Sequence, residues 1–155
     1  FSHIKFYIKH KLNWGMIMAI IKANEEEVKL LARLMRAEAE GDGKLGMLMV
    51  GNVGVNRVRA RCLDFKNINT VEKMVFQRPG GFEATLFSYF YQPARTQDIK
   101  LARRVIKGEQ FHPATKALWF YASQGDCRAK WWGQWNSGRY KSHCFYSPLD
   151  SEKCY

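Results

Sequence analysis

The first clear pattern of apolar positions has the spacing of a helix. Its members recur at intervals of three and four residues, which places them on one stripe: Val28, Leu31, Leu34 and Met35. Asn24 followed by Glu27 is a capping-box sequence just before this stripe. We therefore predict a helix that runs to about Glu40 and ends at the Gly-Asp-Gly turn of residues 41–43.

Three further stretches are predicted to be helical. The second helix follows Asp42 and runs to about Arg59, and three glycines in its apolar surface would let another backbone come close. A short helix is predicted over 70–77, where an Arg-Pro-Gly-Gly loop stops it. The last begins after Thr96 and stops at Gly108.

Two short aromatic segments are predicted to be β-strands. They are residues 117–121 (ALWFY) and 142–146 (SHCFY). The stretch between them, 125–138, carries three tryptophans and is predicted to be a long loop. These elements predict a mostly helical α+β domain with a small antiparallel sheet.

Composition and charge limit the classes of function. A chain of 155 residues, 46% hydrophobic, is sufficient for one domain with a real core. The net charge of +11 favours a polyanionic partner such as nucleic acid, an anionic lipid surface or a wall polymer. No apolar run approaches the roughly 20 residues that span a bilayer. Nucleic acid ranks last, because the arginines are scattered over three predicted helices.

Residues 1–17 form a basic segment without an acidic residue or a clear period. We interpret it as a non-native or disordered extension, with Met16 or Met18 as the true start. A signal peptide is not expected, because the apolar stretch from Trp14 to Ile21 is short and leads directly into Lys22.

The four cysteines leave the disulfide state open. Cys62, Cys127, Cys144 and Cys154 allow three pairings, and a bridge between Cys127 and Cys144 is one interpretation. Free, partly buried thiols are the other. No C-x-x-C pair is present, and a zinc site from His112, Cys127, His143 and Cys144 lacks metal-ligand spacing, so no metal is expected.

Glu38 is the carboxyl group best placed for chemistry. It follows Leu31 by seven residues and Met35 by three, which puts it on the apolar stripe near the helix end. Burial there would raise its pKa, as a general acid in glycoside cleavage requires. The alternative is that Glu38 only closes the helix end. Glu40, in contrast, is predicted to form a surface salt bridge with Arg36.

Five blocks follow one another along the chain: LLARLMRAEAEGDG (30–43), GNVGVNRV (51–58), FQRPGGFEA (76–84), ALWFY (117–121) and GRYKSHCFYSP (138–148). In that order they resemble the SleB/CwlJ family of spore cortex-lytic cell wall hydrolases, most of all its CwlJ branch. Each block alone is weak, but the ordered series is specific. The resemblance covers roughly 18–148, the predicted catalytic domain, and leaves 149–155 as a C-terminal tail.

The resemblance implies an enzyme that cleaves the glycan strands of endospore peptidoglycan during germination, on a single-domain fold of the lysozyme-like, lytic-transglycosylase-like kind. The family's catalytic acid is the first Glu of an A-E-A-x-G-E motif, which Glu38 matches. Asp42 replaces the final Glu of that motif and could still cap the next helix. The expected substrate-binding residues, each of which could instead serve the fold, are Asn56, Gln77, Phe82, Tyr121, Trp131 and His143.

The nucleophile is left open by the sequence. If it is the muramic 6-hydroxyl, one carboxylate suffices and the product is a 1,6-anhydro sugar. If it is water, a second carboxylate is needed, about 5–5.5 Å away for retention or about 6.5–9.5 Å for inversion. Glu83 and Asp126 are the candidates for that second carboxylate.

The resemblance also implies where such a protein acts. Members of the CwlJ branch are made in the mother cell without a signal peptide and are laid down near the coat and cortex. A coat protein of the GerQ type is the implied partner, and calcium dipicolinate the implied trigger, with no cofactor. The alternative is a non-catalytic peptidoglycan- or spore-coat-binding protein, which would not require Glu38.

Overall fold

The computed structural model describes residues 19–155, so the N-terminal extension and its candidate start residues lie outside the described range. Within that range four helices precede a four-stranded sheet. The helices are α1 (Glu25–Ala39), α2 (Gly43–Arg59), α3 (Val71–Val75) and α4 (Thr96–Ile106). The strands are β1 (Trp119–Ala122), β2 (Lys130–Trp131), β3 (Gln134–Tyr140) and β4 (His143–Ser147). This architecture confirms the predicted fold class.

The sheet has the order β1-β4-β3-β2, and each pair of neighbours is antiparallel. β4 therefore lies inside the sheet, with β1 and β3 on either side. Among residues 19–155, no helix has the length and apolar character needed to cross a membrane.

The start of α1 follows the sequence prediction closely. The Asn24 side chain accepts a hydrogen bond from the Glu27 backbone, and the Glu27 side chain accepts one from the Asn24 backbone. The prediction that Asp42 caps α2 is wrong, because Asp42 makes no side-chain cap bond there. The Asp42 carboxylate contacts β4 instead.

Glycines let α2 approach its neighbours closely. A Cβ atom placed on Gly51 would lie 2.9 Å from Val105 Cγ2 of α4 and 3.0 Å from Met35 Cε of α1. Protein interiors are close-packed, so an extra methyl group at this position would force its neighbours to move. Gly51 therefore sets the distance between three helices, which is the packing role that the sequence predicted for the glycines of this helix.

Gly51→Ala should destabilise the domain by about 1–3 kcal/mol, because overpacking outweighs the roughly 1 kcal/mol that alanine adds in helix propensity. Gly125→Ala is the matched control, since nothing lies within 4 Å of a Cβ at that position. Urea unfolding of both variants measures the difference. A Gly51→Ala protein as stable as the parent would show that α2 does not need this close approach.

The predicted tryptophan-rich loop is a β-hairpin in the structure, so that prediction is wrong. β2 and β3 pair across a two-residue turn at Trp132 and Gly133, whose φ angles are +52° and +79°. Two positive φ angles in a two-residue turn are the signature of the type I′ hairpin, which favours Asn-Gly. A tryptophan at the first turn position hid this signal.

Two disulfides close the fold, Cys62–Cys154 and Cys127–Cys144, and no free cysteine remains in residues 19–155. The proposed Cys127–Cys144 bridge is confirmed. The conceivable zinc site is excluded, because two of its four ligands are oxidised. The segment 149–155 contains a 3-10 turn and is tied to the domain through Cys154, so it packs as part of the folded unit.

Candidate active site

Glu38 lies in the last turn of α1 and is half-buried. Its Oε1 accepts a hydrogen bond from the Ala84 backbone N–H at 3.2 Å. Burial raises the pKa of Glu38, and this effect outweighs the lowering by the Ala84 hydrogen bond and by the charges of His143 and Arg57. Glu83 raises it further. The group is thus placed to keep its proton at a pH where an ordinary carboxyl group has lost it.

The segment that carries Ala84 is clamped onto α1. It forms two 3-10 turns, Glu83–Leu86 and Ser88–Tyr91. The Tyr89 hydroxyl donates to Glu40 and accepts from Arg36 Nε at 3.0 Å. Arg36 also pairs with Glu40, which confirms the predicted surface salt bridge. These contacts fix the Ala84 N–H against the end of the helix that carries Glu38.

Arg57 is a buried cation beneath the site. Its Nε donates to the Leu118 carbonyl at 2.8 Å, and its Nη1 donates to the Gly80 carbonyl at 3.0 Å. Burial lowers the pKa of Arg57 to about 10, which leaves the guanidinium charged at neutral pH. Arg57 therefore holds the Arg-Pro-Gly-Gly loop against the segment that precedes β1. It also adds positive charge near Glu38.

Phe82 packs in the core and offers no open ring face. It is 4% exposed, and the Arg57 guanidinium lies 4.4 Å from its ring centroid. The Phe120 ring of β1 packs at 6.0 Å from the same ring. The expectation that Phe82 binds substrate is therefore corrected to a structural role.

Asp42 and His143 form a buried carboxylate–imidazole pair. Asp42 Oδ2 lies 2.6 Å from His143 Nδ1, and the Ser142 hydroxyl donates to the same oxygen at 2.7 Å. Burial opposes the charge on Asp42, but the hydrogen bonds from Ser142 and His143 outweigh it and lower the pKa of Asp42. Phe120 packs edge-on against the His143 ring at 5.1 Å. His143 is therefore held by Asp42 on the helix-facing side of the sheet, and its role in substrate binding stays a prediction. The pairing of Asp42 with His143 was not predicted.

The candidate site residues on the sheet lie on its two opposite faces. Phe120 pairs with Phe145, and Ala122 pairs with His143, so their side chains share the face that packs toward the helices. Tyr121 pairs with Cys144 and points to the opposite face.

Tyr121 and Trp131 form an aromatic cluster with Tyr146 on that outer face. The Tyr121 ring lies 4.9 Å from Trp131 and 5.5 Å from Tyr146. The Tyr121 hydroxyl accepts a hydrogen bond from the Arg128 backbone N–H at 2.9 Å. Tyr121 and Trp131 therefore lie on the face of the sheet opposite to Phe120 and His143, and their role in substrate binding stays a prediction.

Asn56 and Gln77 are held by backbone groups. Asn56 Nδ2 lies within hydrogen-bond distance of the carbonyls of Ala114, Thr115 and Ala117. Asn56 therefore has a structural role, because it holds the segment that precedes β1. Gln77 Nε2 donates to the Asp64 carbonyl at 3.3 Å, and its buried Oε1 has no partner within residues 19–155.

Of the two candidate second carboxylates, Glu83 is the one whose charge acts on the pKa of Glu38. Glu83 is exposed and lies beside Ala84, close enough to raise the pKa of Glu38. Asp126 is exposed next to Cys127, whose disulfide partner Cys144 is on the outer face of the sheet.

Two exposed aromatic residues in the segment after Ala84 were not predicted as site residues. Phe87 is 57% exposed and Tyr91 is 55% exposed, and both follow the turn that carries Ala84. Exposed rings are the groups on which the apolar faces of sugars stack. The run FSYFY at 87–91 was a visible signal, but it has neither helical nor strand period.

A cavity of about 910 Å³ lies elsewhere on the molecule. Its lining includes the end of α2 at Val58 and Arg59 together with Tyr155, and does not include Glu38. Glu38 therefore lies outside this cavity.

Comparison with known proteins gives one consistent result. The family described as Cell Wall Hydrolase matches residues 41–146, a range that begins just after Glu38. A protein named cell wall hydrolase CwlJ from Oceanobacillus iheyensis is 67% identical over 135 residues, which are 87% of this chain and 96% of that protein.

Two solved structures share the fold. The catalytic domain of the Bacillus cereus SleB protein superposes with a TM-score of 0.67 at 22% identity, over 84% of this chain and 96% of that one. The catalytic domain of the germination-specific lytic transglycosylase SleB from Bacillus anthracis gives 0.66 at 21% identity, over 81% and 97%. At these identities the structures support the lysozyme-like, transglycosylase-like fold class.

Proposed function

This chain belongs to the SleB/CwlJ family of cell wall hydrolases, on its CwlJ branch, and on that premise we propose that it cleaves the glycan strands of spore cortex peptidoglycan, with Glu38 as general acid and base. The observation that carries the proposal is the state of Glu38. It is half-buried, its pKa is raised, and the polar contact it makes within residues 19–155 is one backbone N–H. Structural carboxylates are usually paired with cations, and such pairing lowers their pKa.

The proposed reaction begins with proton transfer from Glu38 to the glycosidic oxygen as the C1–O bond of a muramic residue breaks. The Glu38 carboxylate then accepts the proton of the nucleophile. If that nucleophile is the 6-hydroxyl of the same sugar, its oxygen bonds to C1 and closes a 1,6-anhydro ring. If it is water, Glu83 is the second carboxylate that stands close to Glu38.

Mass analysis of fragments released from purified cortex by the wild-type protein tests the proposed function. Fragments with anhydro ends would support transglycosylation, and reducing muramic or glucosamine ends would identify hydrolysis and the bond cleaved. A protein that binds cortex without releasing any fragment would contradict the enzymatic proposal and favour the binding role.

The proposed setting rests on the family resemblance alone. In that setting the protein lies near the coat and cortex, a GerQ-type coat protein is its partner, and calcium dipicolinate is the trigger. The excess of positive charge would suit the carboxylates of cortex peptides, as a weak attraction that salt screens.

Activity should fall as the pH rises through the raised pKa of Glu38, because the proton it donates is then lost. The initial rate of fragment release, measured from pH 4 to pH 9 at low substrate, gives this profile. An activity that stays constant well above the pKa of Glu38 would show that another group supplies the proton.

A further inference from the structure

The turn of the β2–β3 hairpin holds a bulky residue in a backbone conformation that bulky residues rarely adopt. Trp132 has a φ angle of +52° and is 83% exposed. A left-handed backbone is costly for such a side chain, and Asn is the usual first residue of this turn. Because the indole ring is so exposed, it makes little contact with the domain that would offset the strain. Strain of this kind is typical of residues that bind a ligand.

A second tryptophan of the same hairpin is also exposed. Trp135 pairs with Lys130 across the hairpin and is 51% exposed, and Lys130 Nζ lies 4.2 Å from the centroid of its ring. Trp131, in contrast, packs against Tyr121 on the outer face of the sheet. The hairpin therefore presents two indole rings and a lysine amine to solvent. We call this surface the hairpin platform, and its members are Trp132, Trp135 and Lys130.

The hairpin platform extends the face of the sheet that packs toward the helices. Trp135 pairs with Ser147, and Ser147 lies two residues along β4 from Phe145, so the three side chains share one face. Two strand residues span about 7 Å. The Phe145 ring lies 6.0 Å from the Phe120 ring, which packs in turn against Phe82.

The same series of packed rings leads to Glu38. Phe82 precedes Ala84 by two residues, and the Ala84 backbone N–H donates to Glu38 Oε1 at 3.2 Å. Phe120 also packs against the core cluster that contains the buried stripe of α1. The hairpin platform and Glu38 therefore lie on the same side of the sheet and are joined by a close-packed core. A long polymer can contact both places at once, whereas a small substrate contacts one.

The chemistry of the hairpin platform favours a charged glycan over a protein partner. Exposed indole rings bind the apolar faces of sugars, whereas the tryptophans of protein interfaces lie in well-packed apolar surroundings. Apart from the two rings, the exposed residues between 128 and 135 are polar or small: Arg128, Ala129, Lys130 and Gly133. The lysine amine adds an attraction for carboxylates, which peptidoglycan carries and a neutral polysaccharide lacks.

We propose that the hairpin platform is a second binding site for the glycan strand of peptidoglycan, at which Trp132 and Trp135 stack on sugar rings and Lys130 attracts a carboxylate of the polymer. The inference rests on the proposed function for the identity of that polymer. No bond is broken at the hairpin platform, which holds a strand whose cleavage takes place at Glu38. The site therefore acts on the affinity for the strand and not on the chemical step.

Trp132→Asn tests the proposal, because it improves the turn while it removes the ring. Asn-Gly is a preferred type I′ sequence, so this variant should unfold at a urea concentration about 0.5 M higher than its parent. Its binding to purified cortex peptidoglycan should be about 3- to 10-fold weaker, which is the size of one aromatic contact. Co-sedimentation in a Glu38→Gln background measures the binding. Trp135→Thr keeps a strand-forming residue and should weaken binding by a similar factor.

Leu63→Asn is the matched control. Leu63 is also an apolar residue with a positive φ angle, +51°, and it is 41% exposed in the 3-10 turn Leu63–Phe65 that follows α2. Asn at this position should raise the urea midpoint as well, but it should leave binding to cortex unchanged. Equal binding by Trp132→Asn and its parent, or an equal loss in Leu63→Asn, would overturn the proposal. Unchanged cortex binding with lost binding to a purified coat protein would also overturn it.

Kinetics in the presence of Glu38 separate the hairpin platform from the chemical step. Trp132→Asn should raise the KM for cortex about 3- to 10-fold and leave kcat unchanged, because the ring takes no part in bond cleavage. A lowered kcat with an unchanged KM would overturn the inference. The two proposals fail separately. Full activity of Glu38→Gln would reject the proposed function alone, while an inactive Glu38→Gln with unchanged binding in Trp132→Asn would reject the hairpin platform alone.

Discussion

Glu38→Gln is expected to release fragments from purified cortex at least about 100-fold more slowly than the wild type, because a positioned general acid contributes about 10²- to 10⁴-fold. Glutamine keeps the acceptor oxygen for the Ala84 N–H and the size of the side chain, but it has no proton to donate. The rate of fragment release per milligram of folded protein is the measurement.

The stability of Glu38→Gln distinguishes lost chemistry from lost folding. The folded-state pKa of Glu38 is raised above its unfolded value, so the stability that its neutral form contributes is present at low pH. That contribution is lost as the pH rises through the folded-state pKa. A neutral glutamine does not lose it, and Glu38→Gln should unfold at a higher urea concentration than the wild type at neutral pH.

Two carboxylate variants are the matched controls for activity. Asp126→Asn should be as active as the wild type, because Asp126 stands by the outer face of the sheet. Glu83→Gln should keep activity if the sugar hydroxyl is the nucleophile and lose it if water is. Equal release by Glu38→Gln and wild type would reject Glu38 as the acid.

Replacement of Cys62 and Cys154 by serine is expected to cost about 4.5 kcal/mol of unfolding free energy. The bridge closes a loop with a sequence separation of 92 residues, and loop closure of that length removes about this much entropy from the unfolded chain. Both cysteines are buried with Phe65 and Leu118, so the bridge also fastens the C-terminal segment to the core. Urea unfolding under oxidising conditions measures the loss.

The second bridge provides the comparison. Cys127 and Cys144 close a loop with a separation of only 17 residues, so their replacement by serine should cost about 3 kcal/mol. It should also loosen the hairpin side of the sheet without detaching the C-terminal segment. A larger loss from this pair than from Cys62 and Cys154 would contradict the loop-length argument.

The helices could be predicted because their signals are local. The 3.6-residue period, the Asn24–Glu27 capping box and the glycine turn after Glu40 lie within a few residues of the ends that they determine. The same local reasoning placed Glu38 on the buried stripe of α1. The direction of its pKa shift therefore followed from the sequence before any contact was known.

The sheet was harder to predict because the pairing of its strands depends on residues that are far apart in the sequence. The I′ turn at Trp132 and Gly133 lacks the Asn that is usual at its first position, so the sequence predicts a loop where the structure has β2 and β3. Aromatic content placed Tyr121 in a strand but could not say which face it occupies. That face depends on the pairing of β1 with β4, and a shift of one residue would reverse it.

The largest omission concerns Asp42. Its position before α2 suggested a helix cap, and nothing near it in the sequence pointed to a partner 101 residues away. Contacts of that separation depend on the whole fold. His143 was recognised through its sequence block, but its pairing with a carboxylate from the α1–α2 connection could be seen only in three dimensions.

The central claim is that the proton on Glu38 performs the chemistry, and the most direct measurement compares two midpoints in the wild-type protein. One is the NMR titration midpoint of the Glu38 carboxyl group, and the other is the alkaline midpoint of kcat/KM for glycan cleavage, which reports the essential acid of the free enzyme. The account predicts that both lie above the ordinary range of a glutamate and coincide. A Glu38 that titrates at its ordinary value, or an alkaline midpoint more than about one pH unit away, would contradict it.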